Sequence, residues 1–574
     1  MNRIVLFFKK NPWHWLAFGL LVVIGRGLFL DVMDVDASQY ASISMEMWQT
    51  GEWLQVMHRG ANYLDKPPLL FWSSAASFGL FGWSNWAYKW PSVLAALASV
   101  YAVFRFSKLF YTEKTALQAA FILASSVGFL VLCNDVRTDT LLLATTTCAV
   151  WQLAEYLRFK RFLNWLGAFI LVGLAMLAKG PIGLVMPAFA VGTHLLMQRD
   201  WRNLFRWEWL AGLLIVGLVL APMCWGLYHQ FDLHPEAMVN GRTGVSGLYF
   251  FFWEQSFGRI TGENAWKNDT SGFYFLHVYL WAFLPWVLLL AGAGLDGLSR
   301  FSIRHTLNLL HPSQTEACSL GGFLLTFAAL SLSKYKLPHY IFITLPWAAI
   351  LVARWLNPSS ASGEQEEVAP RPWRAGLFYF PILAVALAAF LLLGFVFPTS
   401  NLLLWGGALS IFGGLAWRIF KNPFPADSDV VVQRGVVAVV GGMLVLNFHF
   451  YPSLLPYQST SAAAQFAQKN GIPAKKMAFF WRHGHALDFY SHRILPEIQS
   501  LEHLRSMADS LNGCWIYTSK EALAKLDTFG IPYAIERPFN HFQVALLSPQ
   551  FLNPSTRDSA LRPVFLAKIP AEQK

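Results

Sequence analysis

Apolar segments long enough to cross a lipid bilayer recur along most of this 574-residue chain, and no other feature limits its architecture so strongly. A hydrocarbon core about 30 Å thick needs roughly 20 apolar residues in helical form. A hydropathy-window reading finds about thirteen such segments. They lie near 14–30, 88–106, 115–133, 140–157, 162–178, 181–197, 209–228, 277–297, 316–333, 339–356, 376–396, 402–419 and 433–450. Composition agrees, since 55% of the residues are hydrophobic and 13% charged, against roughly a quarter charged in a soluble domain. The 25 Trp and 48 Phe suit span ends at the membrane interface, where aromatic rings settle. The chain therefore reads as an all-α polytopic membrane protein.

Charge then sets the topology. The net charge of +11 points away from nucleic acid, because the basic residues are scattered in pairs and triplets and form no contiguous stripe. The first segment follows Arg3, Lys9 and Lys10 and lacks an A-x-A-like exit, so it reads as a retained anchor with a cytoplasmic N-terminus. With thirteen spans, the cytoplasmic connections hold Arg105, Lys108 and Lys114; Arg158, Lys160 and Arg161; Arg199, Arg202 and Arg206; Arg300 and Arg304; Arg371 and Arg374; and Arg418, Lys421 and Arg434. All are basic, as cytoplasmic loops tend to be. The long external loops are then 31–86 and 229–276, and the C-terminus lies outside.

Residues 1–454 form the transmembrane part on this reading, and 455–574 a small soluble α/β domain outside the membrane. Met477–Phe480, Cys514–Tyr517 and Phe542–Leu547 read as strands, and Ser461–Lys469 and Ser500–Leu511 as helices. The five cysteines are dispersed and form neither a disulfide framework nor a C-x-x-C metal signal.

Ionisable groups at membrane depth are costly and usually functional, so chemistry is sought where polar residues gather against the apolar background. The first loop does this with D-V-D-A-S-Q-Y-A-S-I-S-M-E-M-W-Q-T-G-E-W-L, continuing to Y-L-D-K-P-P-L-L-F-W. Asp36, Tyr40, Ile43 and Met47 share a helical spacing that Gly51 ends, which suggests an amphipathic helix on the membrane surface. Lys66-Pro67-Pro68 opens another helix. A lysine there is able to meet an anion at the membrane face, and Asp36 is placed to act as a base. Plainer readings stand beside these: Asp36 or Asp139 as helix caps, and Lys66, Lys179, Lys334 and Lys336 as headgroup anchors. His58 and His277 are candidate metal ligands, although a lone histidine at a span end is more often hydrogen-bonded structure. No cofactor is indicated, and a divalent metal stays open.

The order D-x-x-x-Y, E-M, G-x-W and Y-x-x-K-P-P-L resembles the first external loop of the bacterial lipid A 4-amino-4-deoxy-L-arabinose transferases and their protein mannosyltransferase relatives. The resemblance continues through N-D-V-R-T-D-T-L-L, L-A-K-G-P, F-F-W-E-Q-S-F-G-R-I and S-K-Y-K-L-P-H-Y. It implies a GT-C fold and an inverting glycosyltransferase of the bacterial cytoplasmic membrane. The sugar would come from undecaprenyl phosphate, and a lipid, glycan or protein acceptor would take it at the periplasmic face. It also implies Asp36 and Asp139 as catalytic residues. Lys66, Arg259, Tyr335 and Lys334 would lie at the donor phosphate, with Tyr40, Tyr63, Lys179, Lys336 and Tyr340 in the substrate cavity. One departure is that Ala37 and Gln39 stand where the family commonly has D-E-x-R-Y, so a basic contact is missing and the acceptor stays open.

Two other classes compete. A transporter or flippase would place its charges near mid-membrane on broken helices, often in two related halves, whereas here they gather at one face. An oligosaccharyltransferase-like enzyme would differ in its donor, a pyrophosphate-linked oligosaccharide. The topology has a direct check: cysteines introduced near Trp53 and Gly471 should be labelled from the same, non-cytoplasmic side, and labelling from opposite sides would refute the thirteen-span reading.

Overall fold

The computed structural model describes residues 11–261, 268, 270–299, 316–358 and 372–571. Most of the basic residues ahead of the first span, and Arg300, Arg304 and Arg371 of the internal connections, lie outside them. Each of the thirteen apolar segments falls on helix. By length and apolarity alone, seven helices among the described residues are able to cross a membrane, or eight if the bent pair Glu113–Ala124 and Val127–Asn134 counts as one.

The helices show how a chain in lipid keeps its polar groups satisfied. Pro12–Leu28 opens on Asn11, whose side chain accepts from the Trp13 amide at 3.2 Å. At its far end the ammonium of buried Lys89 donates to the carbonyls of Gly27 and Leu30 at 3.0 and 2.8 Å. The bent pair turns by 54° at Ser125 and Ser126, whose hydroxyls donate back to the carbonyls of Phe121 and Leu123. In Thr138–Phe159, Thr145, Thr146 and Thr147 each donate to a carbonyl four residues earlier at 2.6 Å. These polar side chains therefore sit at depth without orphaned groups. The segment expected at 277–297 divides into Tyr274–Ala282 and Val287–Ser299, with Pro285 at the break.

The first loop departs from expectation. Asp36–Thr50 is a helix that ends, as the sequence suggests, at Gly51 with φ 75°, a conformation glycine adopts without steric cost. It is not a surface helix, however, because the run from Ala37 to Met47 is buried, packed between Leu69–Phe81 and the C-terminal helix His485–Tyr490. The cause lies in its side chains. Ser38, Ser42 and Ser44 are small enough for close packing, and the Ser44 hydroxyl is satisfied by the Tyr40 carbonyl at 2.7 Å.

Following the two-residue strands β1 (Met57–His58) and β2 (Ala61–Asn62) of the first loop, the C-terminal region builds a five-stranded sheet. Its strands are β3 (Met477–Phe480), β4 (Glu497–Ile498), β5 (Cys514–Ser519), β6 (Ala534–His541) and β7 (Arg562–Ile569), in the order β4-β3-β5-β7-β6. β3 runs parallel to β4 and β5, and β7 antiparallel to β5 and β6. Alternation decides the two faces. Phe479, Tyr517 and Leu566 pack on helix Ser459–Lys469, while Phe480, Ile516 and Ala567 pack on Leu501–Ser510 and Lys520–Thr528. Residues 542–547, expected as a strand, are irregular. Phe542 leaves the sheet to stack on Phe551 at 3.8 Å, while Leu546 and Leu547 are exposed.

This unit is fastened to the first loop. The Arg59 guanidinium pairs with buried Asp488 and donates to the Leu495 carbonyl at 2.7 Å. The amides of Arg59 and Gly60 donate to the Glu46 carboxylate at 2.6 and 2.7 Å. Beside them His58 Nε2 lies 3.3 Å, and His483 Nε2 2.9 Å, from His485 Nδ1. Burial, reinforced by neighbouring rings and by Arg59, lowers His58 and His483 to about 4 and His485 to about 2. Burial raises Asp488 to about 6 against the opposing pull of Arg59. Histidines depressed from their ordinary 6.5 give stability that is complete above that value and is lost as the pH falls through 6.5 towards 4. The raised Asp488 acts the other way between its ordinary 3.8 and 6, and three rings outweigh one carboxyl. The opening of β1, β2 and helix His485–Tyr490, taken from hydrogen exchange after division by the intrinsic amide rate at each pH, should therefore rise on acidification below pH 6.5, by up to roughly tenfold per pH unit per ring. A His58→Gln variant should show a shallower dependence.

Candidate functional site

The polar residues singled out by the sequence meet where the first loop, the 134–138 connection, the 179–181 connection and the 333–340 segment come together. Asp36 opens its helix but does not cap it. The N-cap is Val35, without a side-chain bond, and the Asp36 carboxylate pairs with Arg137. Arg137 in turn holds Asp135 at 2.8 Å, and its own side chain is mostly buried. Asp36 itself is 38% exposed, so its second oxygen remains reachable.

Asp139, in the first turn of Thr138–Phe159, is buried and pairs with Lys179, with His339 Nε2 3.7 Å from its other oxygen. Lys179 is the last residue of Phe162–Lys179, and its ammonium lies 3.6 Å from the centre of the Tyr340 ring. A cation over a ring face in a dry site is held by the ring quadrupole as well as by its carboxylate. The chain then turns at Gly180, φ 84°, where an added Cβ would stand 3.4 Å from the Gln255 amide oxygen. Lys66 is mostly buried with its ammonium 2.7 Å from Asp65. Leu69–Phe81 follows directly, with Pro68 as its N-cap. Gln255 donates to the Asp65 carbonyl, tying this corner to the long external loop. Arg137, Lys179 and Lys66 all stand close enough to His339 to act on it electrostatically, so three cations from three connections converge on one place.

Two of them, Lys66 and Lys179, line a cavity of about 120 Å³. Lys66, Lys179, Tyr340, Gln255 and Ser333 line its polar end, and Leu142, Ile182, Val185, Ala329, Leu330 and Ile343 the rest. A smaller void of about 20 Å³ shares Lys66 and Gln255 and is lined by Tyr63, Leu64 and Gln230. Tyr40 is buried near Asp36, Asp65 and Arg137, and burial holds its phenol well above the ordinary 10. Tyr63 is likewise raised by burial, with Asp65 and Asp36 adding to the effect. Its hydroxyl is buried and finds no hydrogen-bond partner among the described residues, which suits it to a donor role towards a ligand.

The remaining expectations fare differently. Lys334 is exposed and donates to the Thr261 carbonyl at 3.3 Å, and Lys336 donates to the carbonyls of Thr270 and Ser271 at 3.3 and 3.4 Å. Neither lines the cavity. Both brace the end of the long external loop, because backbone carbonyls there stand nearer than any cavity group. Tyr335 lies beside the site, its ring 6.3 Å from that of Tyr340. Arg259 belongs to the short helix Phe257–Thr261, and its side chain falls outside the described residues. Among those residues no three His, Cys, Asp or Glu side chains group as a metal site. His58 is turned to His485, and His277 is exposed on Tyr274–Ala282. Arg137, Gln255 and His339 were not anticipated, although each lies inside a motif already singled out.

Residues 65–225 match the family model of the dolichyl-phosphate-mannose-protein mannosyltransferases. An undecaprenyl phosphate-alpha-4-amino-4-deoxy-L-arabinose arabinosyl transferase of Edwardsiella ictaluri is 29% identical over 338 residues, covering 56% of this chain and 55% of that protein. The Aeromonas hydrophila protein of the same name is 28% identical, over 65% of this chain and 64% of its own length. The chain thus spans little more than half the length of the curated relatives it matches. Among solved structures, ArnT from Cupriavidus metallidurans bound to undecaprenyl phosphate superposes with a TM-score of 0.70 at 18% identity, covering 99% of this chain and 98% of that one. The chain is thus similar in sequence to these arabinosyl transferases over little more than half of its length, and similar in fold to the Cupriavidus metallidurans protein over nearly all of it.

Proposed function

We propose that this chain is an inverting membrane glycosyltransferase. It moves a single sugar from a polyprenyl (undecaprenyl) phosphate donor to a hydroxyl or phosphate of a lipid, glycan or protein acceptor. The observation that supports this most directly is the convergence of Lys66, Arg137 and Lys179 around His339, with two of them at the polar end of an apolar cavity. A polyprenyl phosphate has the matching form, an anionic head on an apolar tail. The names of the similar proteins point the same way. We further read all thirteen apolar helices as spans, with the N-terminus cytoplasmic and the C-terminal α/β unit, residues 455–574, at the periplasmic face of the bacterial inner membrane.

In the reaction the acceptor oxygen attacks the anomeric carbon from the face opposite the phosphate, the bond from that carbon to the phosphate oxygen breaks, and polyprenyl phosphate leaves. Asp36 takes the proton of an attacking hydroxyl, and the ion pair with Arg137 holds its carboxylate in place. Lys66 stabilises the charge that grows on the leaving phosphate. Asp139, paired with Lys179, holds that second cation at the cavity. Burial of the cations in a partly dry site strengthens their hold on phosphate relative to water.

Incubating the purified protein with a panel of polyprenyl-phosphate sugars and identifying the modified membrane product by mass spectrometry tests the assignment and names the sugar. In the same assay Asp36→Asn should lose turnover by about 100-fold or more while donor binding and the thermal midpoint stay close to wild type. Transfer at a near-native rate would make Asp36 a spectator. Lys66→Ala should lose most transfer, and Lys66→Arg should recover only part of it, since a planar guanidinium cannot occupy the place of a compact ammonium. Variants matched for expression decide this, and full activity of Lys66→Ala would return the lysine to a headgroup-anchoring part.

A further inference from the structure

Gln458, at the start of helix Ser459–Lys469, reaches the stretch of chain just ahead of Asp36 and is wholly buried. Its amide forms both bonds of a backbone-like pair. The oxygen accepts the Asp34 amide at 2.7 Å, and the nitrogen donates to the Val32 carbonyl at 2.9 Å. Two residues further on, the buried Thr460 hydroxyl donates to one oxygen of the Asp34 carboxylate at 2.7 Å, while the other accepts from Ser38 inside the first turn of the Asp36 helix. The Tyr490 hydroxyl accepts the Val32 amide at 2.8 Å and donates to Asn85 at 2.7 Å. The C-terminal unit thus holds residues 32, 34 and 38 directly or through one bridging carboxylate. The Asp36 helix has no side-chain cap of its own, the usual local means of fixing where a helix begins. Its start is set from outside.

We propose that Gln458 and Thr460 are positioning residues through which the C-terminal domain sets the place of Asp36 beside Arg137. This rests on the reading of Asp36 as the base. A base must lie within hydrogen-bond reach of the proton it takes, and a displacement of about 1 Å costs roughly 100-fold in rate. Glutamine suits position 458 because its amide offers a donor and an acceptor in one plane. A carboxylate offers only acceptors and would be repelled by Asp34.

The test uses the purified full chain and the undecaprenyl-phosphate sugar that turns over best in the panel assay, with Gln458→Met, Thr460→Val, Thr460→Ser and Asp36→Asn compared. Gln458→Met, close in shape but without the amide, should lower kcat by about 100-fold with the donor KM within about threefold. Thr460→Val should lower kcat by about tenfold, and Thr460→Ser, which restores the hydroxyl, should recover it. Near-native kcat in both Gln458→Met and Thr460→Val overturns the inference. So does a parallel fall of kcat, donor binding and thermal midpoint, which would make the two residues merely structural. Should Gln458→Met fail to accumulate, the Thr460 pair decides. Full activity of Asp36→Asn would remove the reading of Asp36 and this inference together, whereas inactive Asp36→Asn beside unaffected Gln458→Met removes the inference alone.

Discussion

A polar group in hydrocarbon that finds no partner costs several kcal/mol, and most of this structure is arranged around that cost. It explains why Ser125, Ser126, Thr145, Thr146 and Thr147 return their hydroxyls to nearby backbone carbonyls, and why the Lys89 ammonium is spent on the carbonyls at the end of the first helix. It explains the amide pair of Asn134 and Asn447, bonded at 2.8 Å between buried segments. It also confines ionisable groups to span ends, where they pair with one another. The ion pairs around Asp36, Asp139 and Lys66 accordingly gather at the ends of apolar helices and in their connections.

The apolar pattern made the helices legible, since a spanning segment has few alternatives to helix. Boundaries were less so where a segment breaks, as at Ser125 and Pro285, because hydropathy averages over the bend. Lys66, Lys179, Asp139 and Tyr340 were visible as polar residues in short motifs between apolar runs, and the fold brings them together. The pairing of Asp36 with Arg137 was not visible, because 101 residues separate them and nothing local distinguishes Arg137 from the aspartates beside it. Lys334 and Lys336 looked equivalent to Lys179 in sequence, yet the carbonyls of residues 261, 270 and 271 intercept them. The Asp36 helix has the spacing of a surface helix, and it is buried by packing against Leu69–Phe81 on one side and, on the other, against a helix more than 400 residues away in the chain.

The C-terminal domain is joined to the first loop by bonds of different character: a buried ion pair at Arg59, neutral imidazoles beside it, and an amide pair at Gln458. Ion pairs of this kind add less to stability than to uniqueness of arrangement, since the isolated partners are costly to bury and only one geometry satisfies both. The loop that carries Asp36 thus has a defined place even though it lies outside the bundle proper.

The charges at the site have a consequence of their own. Lys66, Arg137 and Lys179 each already hold a carboxylate, and among the described side chains Asp36, Asp65, Asp135 and Asp139 outnumber these three cations. The site is not a positive well waiting for an anion. A phosphate that settles there must take a cation away from an aspartate, so its hold reflects only the difference between two anionic partners and not the full attraction of the cation. Such a site works by exchange. On the proposed reading, the aspartates would take the cations back as a spent carrier leaves.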